Sequence, residues 1–138
     1  MVQRILISLF LTLCTSIMSS QELAGFKWKK RLVVIADTAY EDASSCPQIA
    51  LFKESFEKTE DRDILVLFYN GKTLKDTEGF YESLVLPEGF FRTNSELVLL
   101  GKDGYVKYRS PLPVEPREIY MIIDQMPMRQ SEIRNKPN

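Results

Sequence analysis

The chain has 138 residues, a formal net charge of −1 and a hydrophobic fraction of 44%. A chain of this length suits one domain built around one core. The near-neutral charge gives no overall electrostatic reason to expect binding to nucleic acid or to an acidic membrane surface. The sequence contains no histidine. Histidine-dependent triads, histidine-ligated zinc sites and imidazole general bases are therefore excluded.

The N-terminus has the layout of a secretory signal peptide. Arg4 precedes an apolar run over residues 5–13, and small residues follow up to Ser20. The run is shorter than the about 20 residues that span a bilayer, but it suits the apolar region of a signal peptide. We therefore predict a signal peptide over residues 1–20, cleaved near Ser20, and a periplasmic or secreted protein whose single domain occupies residues 21–138.

The two cysteines fall on either side of this predicted cleavage point. Cys14 lies in the signal region, and an alternative is that it becomes the lipidated residue of a lipoprotein. Lipidation of Cys14 is the one case in which we expect attachment to a membrane. Cys46 remains alone in the exported domain, which therefore has no internal disulfide.

The elements alternate in type along the chain. Continuous aliphatic runs predict strands covered on both faces, and apolar residues at helical spacing predict helices. A polar end after Pro127 predicts a partly frayed tail. The predicted elements are a strand at 31–36, a helix at 46–60, a strand at 62–71, a short helix at 75–86, a strand at 96–100, a tight turn at 101–104, a return strand at 105–109 and a helix at 116–126.

This order is that of the minimal thioredoxin-like plan. A strand, a helix and a second strand favour a right-handed βαβ unit, and a hairpin followed by a helix completes the domain. We therefore predict an α/β domain with a mixed four-stranded sheet. It would consist of a βαβ half and a ββα half, with helices on both faces.

Several segments carry a resemblance to a known family. They are "FKWKKRLVVIA" at the first strand, Gln48 in the first helix, "RDILVL" at the second strand, "LVLLGKDGYVKYRS" at the hairpin and "IDQMPMRQSEI" at the end. With them the chain resembles the bacterial domain-of-unknown-function family 4174, which is related to the P-DUDES domain of animal extracellular proteins with sushi repeats. The resemblance implies a thioredoxin-like fold, an exported or extracellular setting and no established activity. It also implies that Cys46 is not part of the shared pattern.

Cys46 is the candidate catalytic residue. It lies where the first helix begins, and the N–H groups and dipole of a helix start lower the pKa of a thiol. Thioredoxin-like enzymes place their nucleophile at this junction. However, no second cysteine lies three residues away, and no proline precedes the strand at 96–100. We therefore expect an inert cysteine, with a single-cysteine, peroxidase-like enzyme as the alternative.

Four basic residues form a second candidate site. Lys107 and Arg109 are expected on the same face of the predicted return strand. Lys102 lies in the preceding turn, and Arg129 follows the last helix. If that helix packs beside the hairpin, these side chains could converge on an anion or a partner. The alternative is a solvated strand face. Asp124 is expected to pair with Arg129 or Arg31 and so to fix the last helix against the sheet.

These observations favour a non-enzymatic exported module that binds a protein partner in the cell envelope or outside the cell. A thiol enzyme centred on Cys46 and a small-anion binding protein are the alternatives. We predict no cofactor and no metal site, because Met126 and Met128 alone make a poor copper(I) site. We also predict no nucleic-acid binding, since the basic run before the first strand is interpreted as solvated.

Overall fold

The computed structural model describes residues 21–79, 81 and 84–137. The predicted signal peptide, with Cys14 and the cleavage point near Ser20, lies outside the described residues. Nowhere in the described part of the chain is there a helix long and apolar enough to cross a membrane.

The described chain is a mixed α/β structure built on one sheet of seven strands. Two of these strands, at one edge, are only two residues long. The strands are β1 (Gln21–Glu22), β2 (Arg31–Asp37), β3 (Ile64–Tyr69), β4 (Leu74–Asp76), β5 (Leu84–Val85), β6 (Ser95–Leu100) and β7 (Val106–Pro111). Their order across the sheet is β1-β5-β4-β3-β2-β6-β7. The predicted four-stranded sheet is therefore too narrow.

The centre of the sheet agrees with the sequence prediction. β2 is parallel to β3, as a βαβ unit requires, and antiparallel to β6, which forms a hairpin with β7. β2 is buried along almost its whole length because strands flank it and side chains cover both its faces. The continuous aliphatic run in the sequence reflects this two-sided burial.

The predicted helix at residues 75–86 is wrong, since its described residues include β4, a turn and β5. Leu74 and Asp76 are buried whereas Lys75 between them is exposed, which is the two-residue period of a strand. β4 pairs antiparallel with the outer edge of β3 and satisfies backbone groups that a helix would have left open. Pairing with the open edge of β3 thus stabilises a strand in this segment, although its sequence weakly favours a helix.

Four α-helices occur in the described residues, and three of them differ from prediction. The helix expected at 46–60 is divided at Ser55, and the polar end forms a helix instead of a frayed tail. Pro127 occupies the first turn of that last helix, where its missing N–H costs nothing, so it starts a helix as well as ending one. The helices are α1 (Pro47–Glu54), α2 (Phe56–Asp61), α3 (Pro116–Asp124) and α4 (Pro127–Arg134).

The two faces of the sheet are covered differently. On one face, apolar residues of α1 and α3 pack against β2, β3 and β6. On the other face, the apolar cluster is completed by a 3-10 helix at Leu23–Phe26 and by loop residues Leu86, Phe90 and Phe91. No α-helix contributes to this second cluster within the described residues. The prediction of helices on both faces is therefore wrong, because the helix expected at 75–86 does not form.

Gln48 joins α1 to the segment that leads into α3. Its Nε2 donates to the carbonyl oxygen of Val114 at 2.7 Å, and its Oε1 accepts from the Val114 N–H at 2.8 Å. Both residues are buried. The side-chain amide thus satisfies both backbone groups of Val114, which lies outside the strands and helices.

Replacing Gln48 with alanine should lower the free energy of unfolding by about 3 kcal/mol, because two buried backbone groups would lose their partners. Chemical denaturation monitored by circular dichroism measures this change. Gln125→Ala is the matched control, since Gln125 is exposed at the end of α3, and it should change stability by less than about 0.5 kcal/mol. Equal effects of the two substitutions would contradict the assigned role of Gln48.

Candidate functional site

The structure places Cys46 at the start of α1, as the sequence predicts, but closes access to it. Cys46 is 1% exposed and packs in the apolar cluster beneath the helices. It occupies the N-cap position, yet its side chain makes no capping hydrogen bond. A thiol that solvent cannot reach cannot meet an oxidant or a substrate in this conformation.

A bulge in the hairpin separates Lys107 from Arg109. Leu99 pairs with Tyr108 and Leu100 pairs with Val106, so Lys107 has no partner in the register. The extra residue reverses the alternation of faces that the sequence pattern assumes. Tyr108 therefore lies opposite Leu99 of one apolar cluster and Val106 opposite Leu100 of the other. Lys107 and Arg109 do not form the expected common surface.

Arg109 instead lies on the face without α-helices. Its Nη1 donates to the carbonyl oxygen of Phe90 at 2.8 Å and lies 3.4 Å from Oε1 of buried Glu96. Its guanidinium also covers the Phe90 ring, with 5.7 Å between the guanidinium carbon and the ring centroid. Arg109 thus holds the loop of Phe90 against the sheet.

Arg129 is enclosed on the opposite face and is 3% exposed. Its guanidinium donates to the backbone oxygen of Asp61 at 2.8 Å and to a carboxylate oxygen of the same residue at 2.6 Å. Its Nε donates to Asp124 at 3.3 Å. Each of its three nitrogens donates inside the protein, so the predicted convergence of Arg129 with Lys107 and Arg109 is wrong.

Glu132 of α4 is the centre of the largest ion-pair group among the described residues, and it was not predicted from the sequence. Its two carboxylate oxygens accept from Nη1 and Nη2 of Arg31, both at 3.1 Å. One of them also lies 2.8 Å from Nζ of Lys102, which is bound in addition by Asp63. The available signal was its position three residues after Arg129, one turn along a helix that the sequence reading did not predict.

Asp124 pairs with Arg62 and Arg129. Arg62 binds it with two parallel hydrogen bonds of 2.9 and 2.7 Å, the strong bidentate geometry for a carboxylate. Of the two partners considered from the sequence, the structure therefore shows Arg129, whereas Arg31 binds Glu132. Arg62 also lies over the ring of Tyr120, and so ties α2 to α3.

These contacts shift the pKa values of the carboxyl groups. Burial raises the pKa of Asp124, but hydrogen bonds from Arg62 and Arg129 outweigh burial and hold it below the ordinary value. Burial likewise raises the pKa of Glu132, and Arg31 and Lys102 bring it down. Hydrogen bonds from Lys136 and Arg129 lower the pKa of Asp61. All three groups are carboxylates at neutral pH.

An open groove lies beside this network, between the hairpin turn and the junction of α3 with α4. We call it the hairpin groove, and its volume is about 460 Å³. Lys107 pairs with Asp103 across its rim at 2.7 Å. Gly101 allows this pair, because a Cβ there would lie 2.7 Å from the Lys107 chain. The residues that define the groove are Lys102, Asp103, Lys107, Ile122, Met126 and Met128.

Replacing Glu132 with glutamine should lower the free energy of unfolding by about 3 kcal/mol, because it leaves the enclosed charges of Arg31 and Lys102 without their shared partner. Urea denaturation measures the loss. Glu54→Gln at the exposed end of α1 is the matched control, with an expected change below about 0.5 kcal/mol. If both variants are as stable as wild type, the ion-pair group does not stabilise the fold.

Acidification should destabilise the protein. Asp61, Asp124 and Glu132 have pKa values below those of unfolded carboxyl groups, so the unfolded chain binds more protons in acid. Their contribution is complete above about pH 5 and is lost as the pH falls through their folded pKa values. The urea midpoint should therefore be flat from about pH 6 to 8, where no side chain of ordinary pKa titrates in a chain without histidine, and fall towards about pH 3. A midpoint that rises on acidification would contradict this assignment.

Among the described residues, no group of three or more cysteine, aspartate or glutamate side chains is arranged to hold a metal ion. No solved structure matches the chain. Residues 22–132 match the family described as Domain of unknown function (DUF4174). The match covers both the ion-pair group around Glu132 and the hairpin groove, and it confirms the resemblance seen in the sequence. The chain belongs to the DUF4174 family.

Proposed function

We propose that this chain is a non-catalytic exported module that binds a protein partner in the cell envelope or outside the cell. The observation that carries the proposal is the contrast between Cys46 and the hairpin groove. The thiol expected of an enzyme is buried, whereas Met128, at 40% exposure, and Lys107 are accessible at one open groove. The groove therefore offers contact area without a reactive group.

We further infer a thioredoxin-like arrangement for the centre of the sheet. Two features support it. The strands β3-β2-β6-β7 are adjacent in that order, with β2 parallel to β3 and antiparallel to β6. In addition, α1 and α3 pack on the same face of these strands. β4, β5 and β1 would then be additions at one edge.

The groove favours a partner segment that presents an apolar side chain next to a carboxylate. Met126 and Met128 are unbranched and polarizable, so they can adapt to different apolar side chains. Lys107 is 35% exposed, and its bond to Asp103 is a surface pair worth little in water. Lys107 can therefore exchange Asp103 for an incoming carboxylate at small cost, whereas Lys102 is held by Glu132 and Asp63.

Site-specific photocrosslinking in intact cells tests this proposal. A photoreactive residue replacing Met128 should give one discrete adduct, because its side chain borders the groove. The same residue replacing Met121 is the matched control, since Met121 is an exposed methionine of α3 outside the groove. The adduct should weaken at least tenfold when Lys107→Glu is added, because charge reversal repels the carboxylate of the partner.

A peptide copied from the crosslinked segment should then bind the purified chain, and removal of its acidic residue should weaken binding. Cys46→Ser should bind as wild type does, since the buried thiol has no part in the groove. Equal adducts from positions 128 and 121, or no effect of Lys107→Glu, would overturn the proposal. Peroxide turnover that disappears in Cys46→Ser would support the enzyme alternative instead.

A further inference from the structure

Two exposed aromatic residues lie at the end of the sheet where β2 begins and β6 ends. Trp28 is 65% exposed and Tyr105 is 71% exposed. Trp28 lies in the turn before β2, and Tyr105 lies in the turn between β6 and β7. The N–H of Trp28 donates to the carbonyl oxygen of Lys102 at 2.7 Å, so the two turns are joined directly.

The backbone of Trp28 joins the two turns, but its side chain packs in neither apolar cluster of the fold. Its φ of 66° is in the left-handed region, which is unfavourable for a residue with a large side chain. The turn is closed by the N–H groups of Lys29 and Lys30, which both donate to the Phe26 carbonyl at 3.0 Å. Glycine would satisfy this turn better. A strained backbone that presents an exposed indole indicates a role at the surface.

The same end carries an excess of positive charge. Among the described residues, no ion pair involves Lys27, Lys29 or Lys30. The side chain of Lys27 lies against the hairpin turn. A Cβ atom added to Gly104 would be only 2.7 Å from the Cε of Lys27. The nearby acids Asp103 and Asp63 are each neutralised by a lysine. Lys30 shares a cavity with Glu60 and Glu78, so the excess rests on Lys27 and Lys29. The charge of this end is therefore positive although the whole chain has a net charge of −1.

We propose that this aromatic–lysine patch, formed by Lys27, Trp28, Lys29, Lys30 and Tyr105, binds the surface of a bilayer that contains anionic lipids. Tryptophan and tyrosine favour the headgroup region of membranes, where their apolar rings and polar atoms are both accommodated. Lysines near an anionic bilayer are attracted by its surface potential. The proposal concerns a surface different from the hairpin groove and holds for either outcome of that test.

One feature favours a bilayer over a soluble anionic polymer, whose charges lysines would neutralise equally well. Beside the patch, an apolar groove of about 360 Å³ is lined by Leu23, Phe26 and exposed Val106. The hydrocarbon part of a lipid can occupy such a groove, whereas a hydrophilic polymer gains nothing from it.

Trp28 is the single tryptophan of the chain, so its fluorescence reports on the patch directly. The full-length chain is mixed with vesicles of phosphatidylcholine, with or without phosphatidylglycerol. We expect a blue shift of the emission and protection from acrylamide only with phosphatidylglycerol, and loss of both in high salt. Vesicles of phosphatidylcholine alone control for the apolar run of residues 5–13, which binds hydrocarbon whatever the charge of the lipid.

Charge-matched variants provide the control. Lys27→Glu/Lys29→Glu should weaken the partition onto anionic vesicles by about thirtyfold or more, the effect of two lysines near the surface. Lys72→Glu/Lys75→Glu changes the net charge equally at exposed positions in and beside β4, and should change partition by less than about threefold. Trp28→Gly should reduce vesicle co-sedimentation without lowering the melting temperature.

Three results would overturn the proposal. An unchanged emission with anionic vesicles would show that the patch is only a solvated turn. Equal weakening by the two charge-matched variants would show that net charge, and not this surface, decides binding. An equal blue shift with soluble heparin or DNA, competing with vesicles, would assign the patch to an anionic polymer.

Discussion

The structure depends on one carboxylate, that of Glu132, which joins the last helix to the start of the sheet. Arg31 begins β2, and its guanidinium is buried at the point where β2, the end of α2 and α4 meet. A buried guanidinium is tolerated only when it is paired and hydrogen-bonded. Glu132 provides both conditions and binds Lys102 of the hairpin as well. The position of α4 is thus fixed by the need to neutralise cations of the sheet.

This constraint also determines which cations can bind a ligand. Arg129, Lys102 and Arg31 are the most enclosed basic residues, and each already has a carboxylate partner. Nε of Arg31 finds no acceptor among the described residues, so even this group is not fully satisfied. A buried pair of this kind contributes little net stability compared with apolar packing, but losing one partner is costly. The ion-pair group therefore fixes the orientation of α4. The basic side chains that a ligand can reach lie outside this group.

Burial leaves a pattern in the sequence that predicts the central elements, whereas long-range pairing leaves none. The aliphatic runs of β2, β3 and β6 are visible because both their faces are covered, and α3 is visible because one of its faces is. β4 is three residues long and forms because the edge of β3 is available, which no local pattern shows. The helix α4 is polar, and pairing of Arg129 and Glu132 with distant residues holds it in place.

The candidate sites show the same division. The position of Cys46 at a helix start was predictable, but its burial depends on α3 and the sheet, which pack around it. The shared face of Lys107 and Arg109 followed from strict alternation, and one bulged residue was enough to separate them. The net charge of the chain suggested no attraction to an anionic surface, yet charge acts locally within about a Debye length. At one end of the sheet, ion pairs with lysines neutralise the charges of Asp103 and Asp63. The lysines around Trp28 therefore determine the local charge, which is positive.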